Sequence, residues 1–143
     1  MRMSPETREA INETLRNHPE VAVAYLFGSA ARGDGSALSD IDVGILWGSE
    51  PECPLRARAR LSEDLARAAS GAPVDVVCLG EAPPALVGRV VRDGEVLICR
   101  DETRRIRFEI DGLRRDLDTV RLRHLYDTAL ATANREGRFY GRS

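Results

Sequence analysis

The apolar positions change period along the chain, and the changes mark out its elements. Over 5–17, Ile11 and Leu15 stand one helical turn apart among charged residues, with Ser4 placed to cap and Pro5 at the first helical position. Val21–Phe27 is a continuous apolar run between Pro19 and Gly28, short enough for a buried strand. Over 40–47 the pattern alternates. Asp40, Asp42 and Gly44 share one face while Ile41, Val43 and Ile45 share the other, which predicts a second strand with its aliphatic face in the core. The loop 48–54 leads to a helix over 55–69, with Leu61 and Leu65 inward. Gly71, Ala72 and Pro73 turn into a third strand over 74–79. Pro83 and Pro84 open a short helix reaching Val91, and Asp93-Gly94 turns tightly into a last strand, Glu95–Cys99. The alternation predicts an α/β (α+β) domain, a small mixed sheet with helices mainly on one face.

From Asp101 onward the pattern is helical and highly charged. Ile106, Ile110, Leu113, Leu117 and Val120 follow steps of four, three, four and three, a narrow stripe of the kind that packs on another helix. The first half is expected to lie on the chain's own sheet, with a kink near Gly112. Leu122, Leu125 and Leu130 move to a different face, and this second half, with Arg121, Arg123, Arg135 and Arg138, reads as a docking surface for a partner. The tail 138–143 is too short to fold alone and is expected to order on binding. With 143 residues there is room for one domain, divided into a core over 1–100 and a C-terminal helical extension over 101–143.

Composition narrows the function classes. The net charge of −2 does not indicate bulk nucleic-acid binding. No apolar run is long enough to cross a bilayer and the N-terminus is polar, so the expected location is the cytoplasm, without membrane contact. Cys53, Cys78 and Cys99 are too widely spaced for a disulfide framework or a zinc site, and Cys78 and Cys99 read as small core residues. All 21 basic side chains are arginine. Without lysine there is neither a Schiff base nor a P-loop lysine, which removes Walker-type NTPases.

The candidate chemistry sits between the first two strands. Gly28 lets the backbone leave the first strand, and Ser29 is placed to cap a helical turn through Ala30, Ala31 and Arg32, with Gly33 as its stop. A helix start directly after a strand leaves N–H donors free for an anion such as a phosphate. After a ten-residue spacer following Ser29 come Asp40 and Asp42, two carboxylates that repel each other unless a cation lies between them. Mg²⁺ is commonly held by one or two carboxylates plus substrate phosphates, which suits an exposed pair, and Gly44 on the same face leaves room for a ligand. Asp75 is a lone charge inside the apolar third strand, costly to bury without a partner. Beside the second strand it would complete a three-acid site for metal.

Gly28-Ser29, the ten-residue spacer and Asp40-Ile41-Asp42 resemble the signature of the polymerase-beta-like nucleotidyltransferase superfamily. The Leu-Phe-Gly-Ser-Ala-Ala-Arg-Gly and Ser-Asp-Ile-Asp segments are similar to its minimal branch, which includes the MntA antitoxins of HepT/MntA toxin–antitoxin modules. The resemblance implies a nucleotidyltransferase fold, with Gly28 and Ser29 holding an NTP triphosphate. It implies two Mg²⁺ ions on Asp40 and Asp42, with Asp75 assisting them and acting as base. It further implies ATP as substrate and transfer of AMP to a tyrosine hydroxyl of a HEPN-type (HepT-like) toxin.

Arg32 is the cation nearest the phosphate turn and has two readings, a triphosphate contact or a surface pair with Asp34. Ser39 either bonds a phosphate or caps the start of the second strand. His18 and His124 have no nearby nucleophile or ligand mate and read as surface residues. Trp47 reads as edge packing, with base stacking as the alternative, and Tyr25 as core. Two other functions stay open: transfer to a small-molecule hydroxyl of the aminoglycoside kind, and a non-catalytic antitoxin that acts by contact. The first lacks the sizeable substrate domain that such enzymes usually add. The second gives no reason for clustered carboxylates.

Overall fold

The computed structural model describes residues 3–28 and 40–135. Helix α1 (Pro5–Arg16) starts where Ser4 Oγ accepts the Thr7 N–H at 3.1 Å. It is followed by β1 (Val21–Phe27), β2 (Ile41–Trp47), α2 (Pro54–Ala68), β3 (Val74–Cys78), a short 3₁₀ turn (Leu79–Glu81), α3 (Pro84–Asp93), β4 (Glu95–Cys99) and α4 (Glu102–Arg135). The strand order is β3-β2-β1-β4, with β1 antiparallel to β2 and β4, and β2 parallel to β3. The sheet is therefore mixed, as the pattern of alternating strands and helices suggested.

The two faces of β2 behave as the alternation requires. Ile41, Val43 and Ile45 join Ile11, Leu15, Leu61 and Leu65 in the larger apolar cluster, beneath α1 and α2. The opposite face carries a smaller cluster in which Tyr25, Phe27, Leu46 and Leu79 meet Val90 of α3 and Phe108 of α4, so helices cover both faces rather than mainly one. The central strand β1 is buried along its whole length, which explains why its sequence runs apolar rather than alternating.

Arg100 fixes the end of α1 to the sheet. Its guanidinium donates to the carbonyls of Leu15, Arg16, His18 and Val21, at 2.7–3.2 Å, and so satisfies acceptors left open at a helix C-terminus. His18 beside it corrects the surface reading. It is 8% exposed, and each ring nitrogen lies 2.8 Å from a carboxylate oxygen, of Glu20 and of Asp64. Two acidic partners hold the ring in place, and one of them is 46 residues away in sequence. Trp47 is buried in the larger cluster at the end of β2. Cys78 and Cys99 are half-buried free thiols, and burial pushes both above the ordinary thiol range.

Helix α4 departs from expectation. It is one helix across Gly112, and its apolar stripe does not face the sheet: Ile106, Ile110, Leu117 and Val120 are all exposed. The side turned to the body carries Phe108 among polar and small residues. Tyr25, fully buried in β1, donates its hydroxyl to Glu109 Oε1 at 3.1 Å. Arg105 donates to the same carboxylate, and Phe108 tilts against the Tyr25 ring with centroids 6.0 Å apart. Arg92 of α3 pairs with the buried Asp116 at 2.5 Å. Gly112 is the point of close approach rather than a kink, since a Cβ there would stand 2.5 Å from Val87 Cγ1.

Candidate active site

Three of the sequence-derived site residues cluster at one end of β1, β2 and β3. Phe27 pairs with Asp42 across the antiparallel β1–β2 ladder, and Gly28 follows directly. Gly28 has φ +74°, in the left-handed region that favours glycine. A Cβ added there would collide with Asp42 Oδ2, so the position requires glycine on steric grounds as well. The Asp42 carboxylate thus lies directly against the turn that leaves β1.

Across the parallel β2–β3 ladder, Asp42 is aligned with Asp75. Aligned residues on neighbouring strands point to the same face, so the two carboxylates share one side of the sheet. Asp75 is exposed, which corrects the argument that burial would force a partner upon it. Strand register, not desolvation, is what sets it beside Asp42. Asp40 immediately precedes β2 and is also exposed. Ser29, Arg32 and Ser39 lie outside the described residues, as does the helical turn expected through Ala30 to Arg32.

Gly44 does not leave room for a ligand. A Cβ at Gly44 would stand 2.9 Å from both terminal methyls of Leu79, which fills that space. Leu79, from the 3₁₀ turn after β3, therefore closes the sheet face two residues beyond Asp42 and bounds the site. A glycine in mid-strand often marks such an approach, and that was the available signal.

The donor chemistry fits a divalent cation. Asp42 and Asp75 offer hard carboxylate oxygens from adjacent strands, beside a backbone turn that excludes a Cβ. Like charges aligned across strands repel, and a cation between them would relieve this. Mg²⁺ takes one or two carboxylates and completes its shell with water and substrate phosphates. Among the described residues, no three His, Cys, Asp or Glu side chains form a group that could hold a metal.

A family model described as "Polymerase beta, Nucleotidyltransferase" matches residues 9–103. The chain belongs to the polymerase beta nucleotidyltransferase family. This nucleotidyltransferase also resembles solved structures. A chain from a crystal structure of a toxin–antitoxin with AMP-PNP is 28% identical, with a TM-score of 0.66; the match covers 85% of this chain and 98% of that one. A chain of the MntA–HepT toxin–antitoxin is 26% identical over 86% of this chain and 97% of its own, with a TM-score of 0.61. A structure of the tri-AMPylated Shewanella oneidensis HEPN toxin with MNT antitoxin gives 26% identity, 86% and 96% coverage, and a TM-score of 0.61. No curated protein matches the chain. None of the described helices is long and apolar enough to cross a membrane.

Proposed function

We propose that this nucleotidyltransferase moves AMP from ATP to a tyrosine hydroxyl of a HEPN-type toxin and thereby acts as its antitoxin. The observation that carries the reading is the alignment of Asp42 with Asp75 beside the glycine turn at Gly28. Family membership supports the transfer chemistry. The likeness to toxin–antitoxin chains, one solved with AMP-PNP and one with an AMPylated HEPN toxin, supports the donor and the acceptor.

On this reading Gly28 and Ser29 hold the triphosphate through backbone N–H groups, with Arg32 and Ser39 as further phosphate contacts. Asp40, Asp42 and Asp75 hold two Mg²⁺ ions. When bound, these ions would supply electrostatic stabilisation of the phosphates and a lowered pKa for the attacking hydroxyl. The tyrosine oxygen forms a bond to the α-phosphorus, the bond to the bridging α–β oxygen breaks, and pyrophosphate leaves. On this reading Asp75 accepts the phenolic proton. The rest is positioning, which contributes most when the reacting groups are held in line. Residues 1–100 carry this chemistry, and 101–143 present the surface for the toxin, in the cytoplasm.

The test uses ATP labelled on the α-phosphate, Mg²⁺ and the protein encoded next to this chain. Label on that protein supports the reading. Label on an aminoglycoside instead supports a small-molecule transferase. No label, with neutralisation surviving loss of Asp42, makes the chain an antitoxin that acts by contact alone.

A further inference from the structure

Helix α4 carries an apolar face that its own domain leaves open. Ile106, Ile110, Leu117 and Val120 are between 47% and 62% exposed, and they stand in coiled-coil spacing over about 21 Å of helix. Helix α4 meets its own body instead through Phe108, Glu109, Gly112 and Asp116. A row of exposed aliphatic side chains at this spacing is costly to leave in water and marks a contact surface.

The charges beside the stripe say what covers it. Arg107, Arg114 and Arg121 recur every seven residues along one border, and all three are exposed. Among the described residues none of the three enters an ion pair or side-chain hydrogen bond, whereas Arg105 pairs with Glu102 and Glu109. The opposite border consists of Glu109 and Asp116, and both are already tied to Tyr25, Arg105 and Arg92. A second copy packed antiparallel would bring one arginine row against the other. A parallel copy would need the two acids that are already engaged.

We infer that α4 docks an amphipathic helix of a partner protein, one whose apolar stripe is bordered by aspartate or glutamate. The inference rests on the proposed function in taking that partner to be the protein whose tyrosine is modified. It extends the docking surface expected from the second half of the helix to its first half, and it assigns the arginine row the task of choosing the partner's charge. Complementary charge of this kind fixes register and speeds encounter.

The test is co-elution of the full chain with the protein encoded next to it, as wild type and in three variants. One variant combines Ile110→Asp with Leu117→Asp, one reverses Arg107, Arg114 and Arg121 to Glu, and one is Asp42→Asn. All the altered α4 residues are exposed, so an unchanged thermal transition verifies folding. The wild type and Asp42→Asn are expected to bind alike, and the two α4 variants to bind roughly tenfold or more weakly. Binding by the wild type should also weaken as salt rises from about 0.05 M to about 0.5 M. Wild-type affinity in both α4 variants overturns the docking inference and leaves the transferase reading intact. A dimer of the chain alone that the combined Ile110→Asp and Leu117→Asp variant dissociates also overturns it, since a second copy then covers the stripe. Label transfer by Asp42→Asn at the wild-type rate would instead defeat the functional reading while docking stands.

Discussion

The Asp42 carboxylate lies so close to Gly28 that a Cβ at that glycine would collide with Oδ2. The same glycine has φ +74°, so the turn that leaves β1 and the acid that begins β2 constrain each other. One side chain larger than hydrogen would disturb both the backbone and the carboxylate.

Gly28→Ala is therefore expected to cost about 1–2 kcal/mol through left-handed strain, and to displace Asp42. Displacement of about 1 Å can lower a rate roughly a hundredfold. Thermal denaturation and the transfer assay measure the two effects separately. Full activity in Gly28→Ala would show that the Asp42 position is not critical.

Asp40 and Asp75 are both exposed, and neither is part of the core. Asp40→Ala and Asp75→Asn should each leave stability within about 0.5 kcal/mol, while reducing transfer by roughly a hundredfold or more. Urea melts beside turnover rates check this. A large loss of stability with activity retained would make these residues structural.

Tyr25 gives a pH signature. Burial raises its phenol above the ordinary value of 10.0, and the charge of Glu109 adds to the effect. The folded state thus keeps the proton that the unfolded state releases, and stability must fall as pH rises through and above 10. Tyr25→Phe is expected to cost about 1 kcal/mol near neutrality and to flatten that decline. Unfolding midpoints at about pH 8 and about pH 11 compare the two. An equally steep decline in Tyr25→Phe would show that other groups cause it.

The strands and their order of use were legible because β1 is uniformly apolar and β2 alternates, with Ile41, Val43 and Ile45 pointing into one core. Asp42 and Asp75 were legible as candidates, since they interrupt apolar strands. Their register was not, because parallel pairing joins segments more than 30 residues apart. The readings of His18, Gly44 and the α4 stripe failed on tertiary grounds. His18 looks isolated in sequence, and its partner Asp64 comes from another helix. Gly44 looks like space for a ligand until Leu79 folds over it. The stripe on α4 looks like core, yet the body takes another side of the helix, through Phe108, Glu109 and Asp116.

The central claim is that Asp42 and the turn at Gly28 form a site that transfers AMP to a protein tyrosine. The most direct measurement is the intact mass of the HEPN-type partner after incubation with ATP and Mg²⁺, followed by peptide mapping. Wild type should add one or more AMP units to tyrosine, and Asp42→Asn should add none. An unmodified partner that is nevertheless neutralised, or equal modification by Asp42→Asn, would contradict the account.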